Sequence, residues 1–192
     1  MAELSSNELA SKEPYYNLHG AEPAGLMRWW QSLDDNRGVR ARLRRVDRPD
    51  DALLTDSFFQ FLSMMPQRWA HPSHLYASAL VATALAQVRQ HNSSQRFAAQ
   101  LGSGDNDRPV MSELRFKQLI KSRTPEEFFR RLLRAIRLLN NSVNILSLTE
   151  GILHWYEEYL QGPDRDPIKR LSVKWAQDYY LPRKKPTTDT AA

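Results

Sequence analysis

Apolar residues recur at three- and four-residue spacing along most of the chain, and runs of alternating β-branched residues are missing. That periodicity predicts helices rather than strands. Leu26, Trp29, Trp30 and Leu33 mark the apolar face of a first helix. Leu43 and Val46 belong to a short helix or turn within 34–57. Thr55 or Asp56 then caps a helix carrying Phe58, Phe59, Phe61, Leu62 and Met65, which stops at Pro66. A longer helix opens at Pro72 or Ser73, with Tyr76, Leu80, Ala84 and Val88 as its stripe. Residues 91–109 are polar, contain Gly102-Ser103-Gly104-Asp105-Asn106-Asp107, and predict a long flexible loop or a lobe boundary.

Beyond that loop, Ser112 caps a helix with Leu114, Leu119 and Ile120. Thr124-Pro125-Glu126-Glu127 is the clearest helix start, with proline at the first helical position and a glutamate three residues after the cap. Ser147-Leu148-Thr149-Glu150 repeats that logic and introduces a helix with Leu148, Ile152, Trp155 and Tyr159 on one face. Asp166-Pro167 opens a last helix that turns Ile168, Leu171, Trp175 and Tyr179 inward. The expected fold is all-α, a helical bundle in two small lobes. Residues 23–108, including the connecting loop, form the first lobe and 109–181 the second; 1–22 read as a flexible arm and 182–192 as a flexible tail.

Composition narrows the class. A hydrophobic fraction of 41% in 192 residues is enough for a packed core. Cysteine is absent, which excludes disulfides, thiol catalysis and thiolate metal sites, and fits a reducing compartment. The first twenty residues lack the basic-then-apolar pattern of a signal peptide, and the longest apolar run, around Leu80 to Ala86, is far short of a membrane span. A cytoplasmic protein with no membrane partner is expected.

The formal net charge of +5 is unevenly placed. Residues 37–48 hold six arginines against Asp47, and residues 108–137 hold nine basic residues against Glu113, Glu126 and Glu127. The rest of the chain is acidic. Two basic blocks on an acidic background point to a polyanionic partner. After Thr124, at roughly 100° per residue, Phe128, Phe129, Leu132, Ala135, Ile136 and Leu139 gather on one side. Arg130, Arg134 and Arg137 lie within about 60° of one another opposite, with Arg131 beside them. Guanidinium forks in such a stripe suit phosphate oxygens. An ordinary solvated helix face is the competing explanation for one stripe; the second block favours binding. For the cluster from Arg40 to Arg45, a binding role and a solvated loop paired with Asp34, Asp35, Asp50 and Asp51 stand even.

Catalysis finds little support. His71 and His74 flank Pro72 without a completing glutamate, and adjacent acids such as Asp50-Asp51 diverge on a helix. No phosphate-binding glycine loop or nucleophile elbow occurs, so no enzyme activity and no cofactor are expected. Trp29, Trp30, Trp155 and Trp175 fall on apolar faces and read as core; Trp69, in a polar connection, reads as an anchor for a loop or a partner.

Trp29-Trp30-Gln31-Ser32-Leu33, then Ala41-Arg42-Leu43-Arg44-Arg45-Val46, then Arg115-Phe116-Lys117-Gln118-Leu119-Ile120-Lys121 occur in an order that resembles the small subunit (CasB) of the type I-E CRISPR surveillance complex, Cascade. The likeness spans roughly residues 26–181. It implies an all-α, non-catalytic subunit that packs with a second copy of itself beside the backbone and large subunits. The implied partners are guide RNA and target DNA, with basic surfaces holding the displaced and target strands of the R-loop. On the residues that match, the implied nucleic-acid contacts are Arg44, Arg45, Arg115, Lys121, Arg123 and Arg134 or Arg137; Arg42, Lys117, Arg130 and Arg131 join them as candidates from the two basic blocks. The sequence departs from the pattern at Leu146-Ser147-Leu148, where the family commonly has an aspartate and an aromatic residue. A free-standing helical DNA-binding regulator and a protein-only scaffold are the alternative readings.

Overall fold

A computed structural model describes residues 16–104 and 108–181. In chain order the helices are α1 (Glu22–Asp35), α2 (Arg37–Arg44), α3 (Pro49–Ala52), α4 (Asp56–Ser63), α5 (Leu75–Gln87), α6 (Phe97–Gly102), α7 (Glu113–Ile120), α8 (Pro125–Leu138), α9 (Ile145–Gln161) and α10 (Leu171–Tyr180). Short 3₁₀ turns occupy Gln67–Ala70 and Pro167–Lys169. Two strands of two residues each, β1 (Gln90–His91) and β2 (Ser142–Val143), pair in parallel. The fold is the all-α bundle that the periodicity predicts.

The bundle is organised around α5. Every residue from Ala77 to Gln87 is buried, where the sequence suggested a single stripe. The reason is its neighbours: α2, α3 and α4 pack against it, and so do α8 and α9. A helix surrounded in this way needs small side chains to let its neighbours approach, and Ala77, Ala79, Ala82, Ala84 and Ala86 supply them. Thr83 and Ser78 satisfy their hydroxyls on backbone carbonyls, Thr83 on Ala79 at 2.7 Å and Ser78 on Trp69 at 2.8 Å.

Two caps form as the sequence predicts. The Thr55 hydroxyl accepts from the Phe58 amide and the Thr124 hydroxyl from the Glu127 amide. Three expectations are corrected. The stretch 91–109 is no continuous loop: α6 forms within it and buries Phe97, Ala98 and Leu101. Ser147 does not start its own helix. Asn144 caps α9, accepting from the Ser147 amide, while the buried Ser147 hydroxyl accepts from the Phe97 amide at 2.7 Å and so caps α6. Asp166-Pro167 opens only a 3₁₀ turn, which leaves Ile168 exposed; α10 begins at Leu171.

Trp29, Trp30, Trp155 and Trp175 are buried as expected. Trp69 is core as well, fully buried with its indole N–H donating 2.9 Å to Glu22. Glu22 also pairs with Arg68. Burial alone would raise the Glu22 carboxyl. The hydrogen bonds from Arg68, the His19 amide and the Trp69 indole outweigh it and hold the group below the ordinary glutamate value. A second aromatic set forms a column: Phe128 lies on Trp155 with centroids 4.2 Å apart, and Trp155 on Tyr159 at 5.4 Å. Tyr159 ends that column half-exposed, not inward as its helical register suggests.

Candidate nucleic-acid interface

The basic residues of the C-terminal half are placed by the packing of α7 on α8. Phe116 and Leu119 of α7, and Phe128, Phe129, Leu132, Ala135 and Ile136 of α8, are buried. That leaves Arg115 and Lys117 outward on α7, Lys121 exposed just past its end, and Arg130, Arg134 and Arg137 outward on α8. Arg131 fastens the two together. Its guanidinium donates 2.7 Å to the Gln118 carbonyl and 3.1 Å to the Ser122 hydroxyl, and pairs with Glu127 at 2.6 Å. Glu127 in turn accepts from the Arg123 amide at 2.9 Å. That bond first, with the Arg131, Arg130 and Arg123 charges, holds its carboxyl below the usual range against opposing desolvation.

Between the helices runs a groove of about 390 Å³ lined by Arg115, Gln118, Arg131, Arg134 and Arg137, with Met111 and Leu138 as its apolar lining. Among the described residues no carboxylate lines it, and Arg130, Arg134, Arg137 and Arg115 form no ion pair. A neighbouring concavity of about 500 Å³ continues the seam past Lys117, Lys121 and Arg123. Lys117 is engaged by Glu113, which also accepts from the Tyr180 hydroxyl. Arg130 lies outside both concavities, so the groove selects Arg134, Arg137 and Arg115 rather than the helical stripe alone.

The arginine block on α2 is divided differently. Arg40 is buried and donates to the Leu33 and Val88 carbonyls at 3.3 and 3.0 Å and to Asp34 at 2.9 Å. Its burial, then the Arg89 and Arg44 charges, lower its affinity for the proton, and Asp34 opposes them. The Arg42 Nη1 donates to both oxygens of Asp56 at 2.8 and 2.7 Å, across an exposed surface. Arg44 donates 3.3 Å to the Gln87 side chain, and Arg45 is exposed. Arg37, Arg40, Arg44 and Arg89 line a groove of about 530 Å³ together with Asp34.

Sequence reasoning missed Arg89, which stands alone in the chain, and counted Arg37 only as part of a charge block. Nothing in the sequence placed Arg89 there. It is brought in by the turn after α8, where Asn140 and Asn141 adopt left-handed φ values of 53° and 58°. Asparagine tolerates that conformation better than most residues. The turn points the Asn141 carbonyl at the Arg89 amide, 2.8 Å away, and so sets the α2 groove beside the C-terminal end of α8.

Residues 39–180 match the family model of CRISPR-associated protein Cse2. The chain belongs to the Cse2 family. Comparison with curated proteins and with solved structures gives no match. The Cse2 family is the CasB small subunit of type I-E Cascade, a non-catalytic member of that complex. The matched span contains every groove arginine except Arg37. Among the described residues no helix is long and apolar enough to cross a membrane, and no cluster of three or more histidine or carboxylate side chains is placed to hold a metal ion.

Proposed function

We propose that this Cse2-family chain is a non-catalytic subunit that steadies the R-loop of an RNA-guided antiviral complex through sequence-blind contacts to the phosphate backbone. The observation that carries this reading is the α7–α8 groove, where Arg115, Arg134 and Arg137 converge with no carboxylate in the lining. Guanidinium groups fork onto phosphate oxygens whatever the base. Guide–target pairing is a near-balanced exchange for the lost DNA duplex, so such contacts suffice to tip it. The glutamates in the first turn of α8 disfavour the regulator alternative, since a base-reading helix presents its N-terminal residues to DNA.

In this reading the partners are target DNA and guide RNA, the backbone and large subunits, and a second copy of the chain, all in the cytoplasm. The purified chain hydrolyses neither DNA nor RNA.

The test is the salt dependence of single-stranded DNA binding by the full chain. Arg115→Ala/Arg134→Ala/Arg137→Ala flattens the slope of log affinity against log salt by about 2, at about 0.7 for each phosphate no longer neutralised. Its melting temperature stays within a few degrees of the wild type, because all three side chains are exposed. An unchanged slope with a collapsed melting temperature shows that these arginines hold the fold, and the reading fails.

A further inference from the structure

The α7–α8 seam does not end at its last cation. Arg123, which closes the basic concavity, also lines a third one of about 360 Å³, whose other walls include Trp155, Tyr159, Glu158, Leu171 and Ser172. The chemistry changes abruptly there. Upstream, guanidinium and ammonium groups predominate, and the one carboxylate, Glu127, is taken up by Arg131 and the Arg123 amide; past Arg123 the lining is mainly aromatic and apolar, with Glu158 as its carboxylate. Glu158 is fixed in that wall, accepting from the Leu171 amide at 2.8 Å and lying 3.3 Å from His154. A carboxylate repels phosphate and accepts hydrogen bonds from amino groups. Tyr159 is half-exposed and is the outer ring of the Phe128–Trp155–Tyr159 column, parallel to Trp155 within 9°.

We propose that this pocket receives one unpaired nucleobase of the strand whose phosphates lie in the basic groove, with Tyr159 as its stacking platform and Arg123 holding the phosphate at its mouth. The proposal rests on the reading of the groove as a strand-binding surface, and adds that the bound strand is single. A base within a duplex has both faces covered and cannot stack on a protein ring.

The experiment compares a mixed-sequence DNA single strand with an abasic strand of equal length, by fluorescence anisotropy on the full chain. Wild type binds the base-bearing strand about tenfold more tightly, from the usual strength of one base–aromatic stack. Tyr159→Ala abolishes that preference, Tyr159→Phe retains it, and both keep the wild-type salt slope. Ser172→Trp, which fills the pocket from α10 and leaves the column of α8 and α9 intact, gives the same loss as Tyr159→Ala. A strand carrying 2-aminopurine is quenched by wild type and by Tyr159→Phe at one position, and by neither of the other two variants there. Equal affinity of wild type for both strands, with the salt slope present, overturns the base pocket and leaves the groove reading standing. A base preference that survives both Tyr159→Ala and Ser172→Trp also overturns it. Absence of any salt-dependent binding overturns both.

Discussion

The arginines of α2 and those of the α7–α8 seam look alike in the sequence and are used in opposite ways. On α2, Arg40 is buried among backbone carbonyls, Arg42 is matched to Asp56, and Arg44 is tied to Gln87. On the seam, one arginine of α8, Arg131, is consumed in joining the helices, and in doing so leaves Arg134, Arg137 and Arg115 around an acid-free concavity. The density of positive charge along a chain therefore says little about charge on offer. What decides it is whether a carboxylate or a carbonyl has already claimed each group.

The strongest way to break that comparison is through stability. Arg40→Ala removes the donor to Leu33 and one of two donors to Val88, whose other partner is the Trp30 indole at 3.0 Å. The expected loss is about 2–3 kcal/mol, or roughly 5–10 °C in melting temperature by circular dichroism. Arg134→Ala on the exposed face of α8 shifts it by less than about 2 °C. If the two variants melt alike, the division between structural and available arginines is wrong.

A smaller effect distinguishes the two grooves. Arg37→Ala/Arg44→Ala flattens the salt slope of single-stranded DNA binding less than Arg134→Ala/Arg137→Ala, which flattens it by about 1.4 at about 0.7 per phosphate. Asp34 lines the α2 groove and repels phosphate there, whereas the groove of Arg134 and Arg137 has no carboxylate in its lining. Equal flattening by the two pairs would place both grooves on the same footing.

The smallest effect is local. The hydrogen bond from Arg42, helped by its charge and by hydrogen bonds from Ser57, holds the Asp56 carboxyl below the ordinary aspartate value against opposing desolvation. A depressed folded-state value contributes stability above the unfolded aspartate value and loses it as pH falls through the folded one. NMR titration of Asp56 in Arg42→Ala should move its midpoint upward. Saturating single-stranded DNA should leave the wild-type midpoint in place, since Arg42 stays on Asp56; an upward move on adding DNA would show that Arg42 leaves its partner for phosphate.

Much of the fold is legible because a helix advertises itself locally. Thr124-Pro125 and Thr55 announce helix starts with groups a few residues apart, and the α8 arginines follow from 100° steps. What escapes is whatever is decided at a distance. α6 sits in a polar stretch and ends at Gly102, where a Cβ would fall 2.0 Å from the Tyr179 carbonyl oxygen. Its existence depends on α10 and on a serine fifty residues away. The same serine misleads when read as the cap of its own helix. Within the site, Arg134 and Arg137 are visible in the sequence, but their pairing with Arg115 needs the α7–α8 packing, and Arg89 needs the asparagine turn. Tyr159 falls in helical register with Trp155, and only the structure places it at the surface end of the column.

The central helix has a practical corollary for anyone handling the protein. No lysine or arginine occurs between Arg68 and Arg89, a stretch that contains all of α5. Trypsin therefore releases this region as a single peptide, and amide exchange along it is gated by the flanking helices moving away from both sides. In a deuterium-exchange map, where an acid protease cuts under quench conditions, this stretch becomes a gauge of global opening. Its uptake rate, compared with that of α7 and α8 on adding a DNA strand, separates a ligand that tightens the whole bundle from one that merely covers a seam.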